Sequence, residues 1–151
     1  MAINITFNKI ILVKEATHRY NIPKAIHGPE DAAYIANEVL HLEDEAQEVL
    51  VVLMLDTKNH VAGIHEISRG SASASIVHPR EVYKPAILCN AASIILFHNH
   101  PSGDTSPSKE DISVTERIIK AGKLLDIPCL DHIIIGNYRF CSLKEKGYFH
   151  I

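Results

Sequence analysis

Two histidines one residue apart, His98 and His100, close an apolar run and lead into Pro101-Ser102-Gly103-Asp104. In extended chain, residues i and i+2 point to the same face, so both imidazoles aim together at the mouth of a strand. Asp111 comes eleven residues after His100, in the first turn of the next predicted helix. A His/His/Asp set gives zinc three protein ligands. Three ligands with one open position is the catalytic arrangement, whereas a structural site closes with a fourth protein ligand, usually Cys. No cysteine lies near this segment. Zinc so held brings the pKa of water from 15.7 to about 7. The spacing therefore points to metal-assisted hydrolysis with one Zn2+ per chain. That chemistry also needs a carboxylate within hydrogen-bond reach of the water, and the residues alone leave Glu45, Glu48, Glu66 and Glu81 open.

Plainer readings stand beside this one. Ser108-Lys109-Glu110-Asp111 also reads as a helix cap, although the usual third residue after the cap is Glu or Gln. His18, His27, His41, His60, His65 and His150 read as surface residues, and His78 precedes Pro79. His132, at the start of a buried strand, either supports a ligand or is a core histidine satisfied by backbone. Combination lifts the site above these readings. His-x-His-Pro, six residues, Ser, two residues and Asp would arise by chance in a chain of this composition about once in ten thousand.

Several elements must position these residues. KIILVK, residues 9–14, reads as a short strand, and residues 29–41 as a helix with Pro29 near its start and Glu30 and Asp31 in its first turn. VLVVLML, residues 49–55, is an unbroken apolar run that suggests a strand buried on both faces. Residues 60–68 read as its hairpin partner, 79–90 as a helix, and AASIILF, residues 91–97, as a second buried strand. Residues 108–125 have helical spacing with Ser108 as cap, and residues 129–135 and 138–141 read as closing strands around the turn dipeptide Gly136-Asn137. Ligand sites in open α/β sheets favour the carboxyl ends of strands, which is where His98 and His100 fall. The reading is one α/β domain over residues 1–151 with a mixed sheet flanked by helices.

Composition narrows the function classes. The chain has 151 residues, 46% of them hydrophobic, which argues for a folded core over disorder. No apolar run reaches the roughly 18 residues of a membrane helix, and the N-terminus lacks a signal-peptide pattern, so the expectation is a cytoplasmic protein without a membrane partner. Cys89, Cys129 and Cys141 are an odd count without CxxC spacing, and they read as core residues in a reducing compartment. A net charge of −3 gives no basic field for nucleic acid. Arg117, Lys120 and Lys123 share part of one helix face, but a helix C-terminus attracts bases anyway. There is no internal repeat, and the longest low-complexity run is Ser71-Ala72-Ser73-Ala74-Ser75. Nothing in the chain sets its oligomeric state.

His98-Asn99-His100-Pro101-Ser102-Gly103-Asp104 followed by Ser108-x-x-Asp111 resembles the JAMM motif of MPN-domain zinc metalloproteases, and more narrowly the RadC-like branch. Glu48 with VLVVLMLD (49–56), His-Pro-Arg-Glu (78–81), Asp-His-Ile-Ile (131–134), Ser142, Leu143 and Gly147 extend the resemblance over about residues 45–149. Gly70-Ser71-Ala72 stands where the family more often has Gly-Thr-Leu. The roughly 44 residues before the match, read as a strand and helix packed on the domain, show no helix-hairpin-helix pattern of the kind that precedes it in RadC proteins. The resemblance implies a cytidine-deaminase-like three-layer α/β sandwich with zinc on His98, His100 and Asp111. It also implies Glu48 as general acid/base and Ser108 as a hydrogen-bond donor on the oxyanion side. The implied activity is that of a metallopeptidase or isopeptidase-like hydrolase acting on a protein or peptide substrate. The competing reading is a DNA-repair- or mobile-element-associated module acting on or near DNA, which the charge does not support.

Overall fold

The computed structural model describes residues 1–70 and 77–150. The Ser71–Ser75 run and the Ser71-Ala72 departure therefore lie outside the described residues. Helix α1 (Pro29–Glu38) is followed by a 3-10 turn (Leu42–Asp44), strands β1 (Glu48–Leu55) and β2 (Val61–Gly70), helix α2 (Pro79–Leu88), strand β3 (Ser93–Asn99), helix α3 (Lys109–Leu125) and strands β4 (Cys129–Gly136) and β5 (Arg139–Ser142). The strands form one mixed sheet in the order β2-β1-β3-β4-β5. Only β3 and β4 run parallel, joined through α3.

The period of two along each strand sorts the core into two layers. Val49, Val51, Leu53 and Leu55 of β1, Ile95 and Phe97 of β3, and Ile133 and Ile135 of β4 pack with Ala32, Ala33, Ile35 and Ala36 of α1. Leu50, Val52 and Met54, with Ile94 and Leu96, face the other way onto Val82, Tyr83 and Ala86 of α2 and Ile118 of α3. The unbroken run 49–55 is apolar because both of its faces are covered. By the same parity Glu48, His98 and His132 lie on the α2/α3 face, on the side of the sheet where α3 begins. Among the described residues no helix is long and apolar enough to cross a membrane.

Three expectations are corrected. Residues 9–14 form no strand, and Ile10, Ile11, Leu12 and Val13 are exposed. High β-propensity there is not enough by itself, because the run neither pairs with an edge of the sheet nor covers an apolar face. Strand β3 runs to Asn99, two residues past the expected end, so His98 lies inside the strand. The turn between β4 and β5 is Asn137-Tyr138 rather than Gly136-Asn137, with Tyr138 at φ +52°. Gly136 is needed elsewhere. A Cβ there would sit 2.5 Å from the Gly103 carbonyl oxygen and 2.6 Å from Thr105 Cγ2, atoms of the loop after His100.

Candidate metal centre

Each residue of the site arrives on its own element. His98 is the penultimate residue of β3 and is 2% exposed. His100 stands just past the strand end, where its N–H donates to the Ile135 carbonyl at 2.8 Å. The loop then turns through Gly103 at φ +82°, whose N–H donates back to the His100 carbonyl at 2.8 Å. His100 Nδ1 meets the Asp104 carbonyl at 2.6 Å. A carbonyl can only accept, so Nδ1 carries the proton and the neutral ring presents a bare Nε2 to the site.

Asp111 enters from the first turn of α3, and Ser108 is the cap of that helix. The Ser108 hydroxyl accepts from Asp111 N–H at 3.0 Å, and the Asp111 carboxylate accepts from Ser108 N–H at 2.7 Å. This is a reciprocal capping box, so the plainer reading of Ser108-x-x-Asp111 holds as well. The same carboxylate also faces both imidazoles. Asp111 Oδ1 is 3.2 Å from His98 Nε2 and Oδ2 is 3.3 Å from His100 Nε2, while the two Nε2 atoms are 2.8 Å apart. Burial raises the Asp111 carboxyl, but its contacts with His100 and His98 outweigh that and hold it well below the usual carboxylate range. His100 is raised, chiefly by Asp111.

Glu48 completes the group. Its Oε1 is 4.0 Å from His98 Nε2, and its side chain is 23% exposed. The other candidate carboxylates are engaged elsewhere. Arg69 holds Glu45 at 2.7 Å and Glu66 at 2.9 Å, and Lys84 holds Glu81 at 3.0 Å. Glu48, His98, His100 and Asp111 each offer one ligand atom, all within 4.8 Å of one another. Two imidazole nitrogens and two carboxylates so close have more lone pairs than protons to fill them. A divalent cation meets that demand, and the N/O donor set suits zinc. Over the cluster opens a cleft lined by Glu48, Leu50, Ser68, Val77, His98, Glu110, Asp111, Val114 and His132. Ser108 is exposed at the helix cap rather than in that lining.

Two residues that composition and spacing did not single out hold this geometry. Asn99 points to the face opposite His98 and His100. Its Oδ1 accepts from Val49 N–H at 2.8 Å, and its Nδ2 donates to the Gln47 and Glu45 carbonyls at 2.9 and 3.3 Å. It thus clamps the backbone on both sides of Glu48. A polar side chain buried to 2% exposure must find partners, and that was the available signal. Thr115, fully buried on α3, touches both Asp111 and His132. His132 stands beside His98, with burial depressing its basicity. Cys129 is buried and its thiol is pushed up to about 12 by that burial, in keeping with a core role. The six histidines read as surface residues are all exposed or half-buried.

Residues 26–148 match the RadC-like JAB domain family, reaching further toward the N-terminus than the motifs at 45–149. The chain is 47% identical over 147 residues to a UPF0758 protein of Clostridium beijerinckii, covering 93% of this chain and 63% of that protein. It is 54% identical over 124 residues to one of Shouchella clausii, covering 82% and 53%. A UPF0758 protein of Methanosarcina acetivorans shares 54% identity over 107 residues, covering 71% and 47%. The chain thus spans about half to two-thirds of the length of these relatives.

Proposed function

The chain belongs to the RadC-like JAB domain family, and from that membership and the site geometry we propose that it is a zinc-dependent hydrolase of the metallopeptidase or isopeptidase kind. The observation that carries the reading is the convergence of Glu48, His98, His100 and Asp111 beneath an open cleft. His98, His100 and Asp111 would hold the ion, since Asp111 reaches both Nε2 atoms within 3.3 Å while Glu48 stands back at 4.0 Å. When bound, zinc supplies Lewis-acid polarisation of the scissile carbonyl and lowers the pKa of water toward neutrality.

The remaining chemistry belongs to the chain. Glu48 accepts a proton from the attacking water and returns it to the amide nitrogen as the C–N bond breaks, leaving a carboxylic acid and an amine. Ser108 caps α3 outside the cleft lining; its hydroxyl accepts from Asp111 N–H, which leaves its own proton uncommitted, and the oxyanion-side role that the family resemblance implies requires the substrate carbonyl to reach that cap. Leu50, Val77 and Val114 give the cleft an apolar wall against which a substrate side chain can pack. The test is a substrate-trapping pull-down with Glu48→Gln protein, with captured partners identified by mass spectrometry. Polypeptides retained by Glu48→Gln and cleaved by the parent chain would support the reading. Capture of nucleic acid with no polypeptide would overturn it.

A further inference from the structure

We propose that His132 and Thr115 are positioning residues for this centre, fixing the ring tautomer of His98 so that its Nε2 carries a lone pair into the cluster. The inference rests on the zinc reading above and follows from the protons along one line of contacts. Thr115 Oγ1 lies 2.6 Å from the Asp111 carbonyl oxygen. A carbonyl only accepts, so the single hydroxyl proton is committed there. The same Oγ1 lies 2.6 Å from His132 Nδ1 and can now only accept, which puts a proton on Nδ1. The His132 ring is 1% exposed, and among the described residues its two nitrogens hydrogen-bond only to Thr115 and His98, with no carboxylate in contact to take a second proton. Its Nε2 is therefore bare. That nitrogen is 2.7 Å from His98 Nδ1, so His98 donates to it. A neutral His98 has one ring proton, and with that proton on Nδ1 the lone pair is on Nε2, facing Asp111 at 3.2 Å and His100 Nε2 at 2.8 Å.

The two histidines are thus oriented by different devices. His100 uses a loop carbonyl. His98, inside the strand, uses a buried relay that begins on α3. The relay ends on the backbone of Asp111 itself, one helical turn before Thr115. The helix that delivers the carboxylate therefore also sets the tautomer of the imidazole opposite it. Groups behind metal ligands act in this way, by holding ring orientation and raising ligand basicity.

The experiment uses the full chain with two readouts: zinc affinity by chelator competition, and the His98 ring nitrogens by nitrogen-15 NMR in metal-free protein at alkaline pH. His132→Leu is expected to weaken zinc about 10–100-fold and to let His98 take the Nε2–H form. His132→Gln, whose amide oxygen can accept from His98, should recover most of the loss. Thr115→Val removes the acceptor for His132 Nδ1–H, lets His132 reverse its tautomer, and should weaken zinc in the same direction. A merely structural role would lower thermal stability without moving the tautomer. Wild-type zinc affinity in folded His132→Leu and Thr115→Val proteins would overturn the proposal, as would a wild-type His98 that carries its proton on Nε2. Should His132→Leu fail to fold, Thr115→Val decides through the same two readouts. If the wild-type chain binds no zinc, the metal reading fails, while the His98 tautomer still decides the relay.

Discussion

Replacing Asn99 separates the positioning of Glu48 from metal binding, and the structure sets the size of the effect. Asn99→Ala removes three hydrogen bonds at once. They are not equivalent. Glu45 is half-buried and Gln47 exposed, so their carbonyls can turn to water. Val49 is 1% exposed, and its N–H is stranded. One stranded buried donor costs about 1–3 kcal/mol, and the cavity left by the side chain brings the total to roughly 2–4 kcal/mol. For a chain near 150 residues each kcal/mol is about 2–4 °C in Tm, so a fall of about 4–16 °C is expected. Zinc stoichiometry should hold, because His98, His100 and Asp111 are untouched. Turnover should drop on the order of 10²-fold as Glu48 loses its fixed backbone, the usual consequence of misplacing a reacting group by about 1 Å.

Asn99→Asp sharpens the test through pH. The introduced carboxyl keeps an acceptor for Val49 N–H, but its second oxygen would face the two carbonyls that Nδ2 now serves at 2.9 and 3.3 Å. Two acceptors there disfavour the ionised form and raise its folded pKa above the unfolded value of about 3.9. With the folded value the higher one, its stability contribution is full below the unfolded pKa and is lost as pH rises through the folded pKa. Asn99→Asp should therefore unfold at urea concentrations close to wild type in acid and fall behind toward neutrality. Far-UV circular dichroism is the probe, since the chain has no Trp. Urea midpoints that track wild type in parallel across that range would refute the clamp, as would Asn99→Ala with wild-type Tm and turnover.

Elemental analysis should find one zinc per chain in the parent and none in His98→Ala/His100→Ala protein, and a full equivalent in the double variant would refute the ligand set. Because two apolar layers hold the sheet without the ion, chelation should lower Tm modestly and leave unfolding cooperative; loss of cooperativity would mark the metal as structural. Glu48→Gln should keep zinc and lose roughly 10²–10⁴ in turnover, whereas zinc lost along with activity would make Glu48 a ligand. Gly136→Ala should displace the loop after His100, because its Cβ would meet backbone at 2.5 Å, and zinc affinity at wild-type level in that variant would refute the close approach. Burial raises the Asp131 carboxyl against the hydrogen bonds from Ser142, Lys144 and His132 that lower it. Its stability contribution is therefore full below the ordinary value of 3.8 and lost as pH rises through the raised one; Asp131→Asn should flatten that slope in acid urea titrations, and parallel curves would count against it.

What the sequence made legible and what it hid divide along a physical line. The ligand set was readable because its members sit on short spacings whose geometry is fixed locally. Residues i and i+2 of a strand share a face, and an N-cap and its N3 residue share a helix turn. Glu48 was not separable from Glu45, Glu66 and Glu81 on such grounds, and only the family resemblance chose it. The structure supplies the reason in charges that arrive from other elements: Arg69 on β2 engages two of the competitors and Lys84 on α2 the third. Asn99 and Thr115 were hidden for the same cause, since Asn99 works through residues about fifty positions away and Thr115 through one seventeen away. Residues 9–14 show the converse. Ile10 to Val13 have strand propensity, but propensity becomes a strand only where a neighbour offers backbone partners and a face to cover, and in this fold that run has neither. In His98-Asn99-His100 the two kinds of information meet within three residues. The outer pair is fixed by local parity toward α3, and the middle residue, forced by the same parity to the α1 face, is free to hold the strand that carries Glu48. Strand alternation thus aims the ligands and at the same time anchors the carboxylate that must work beside them.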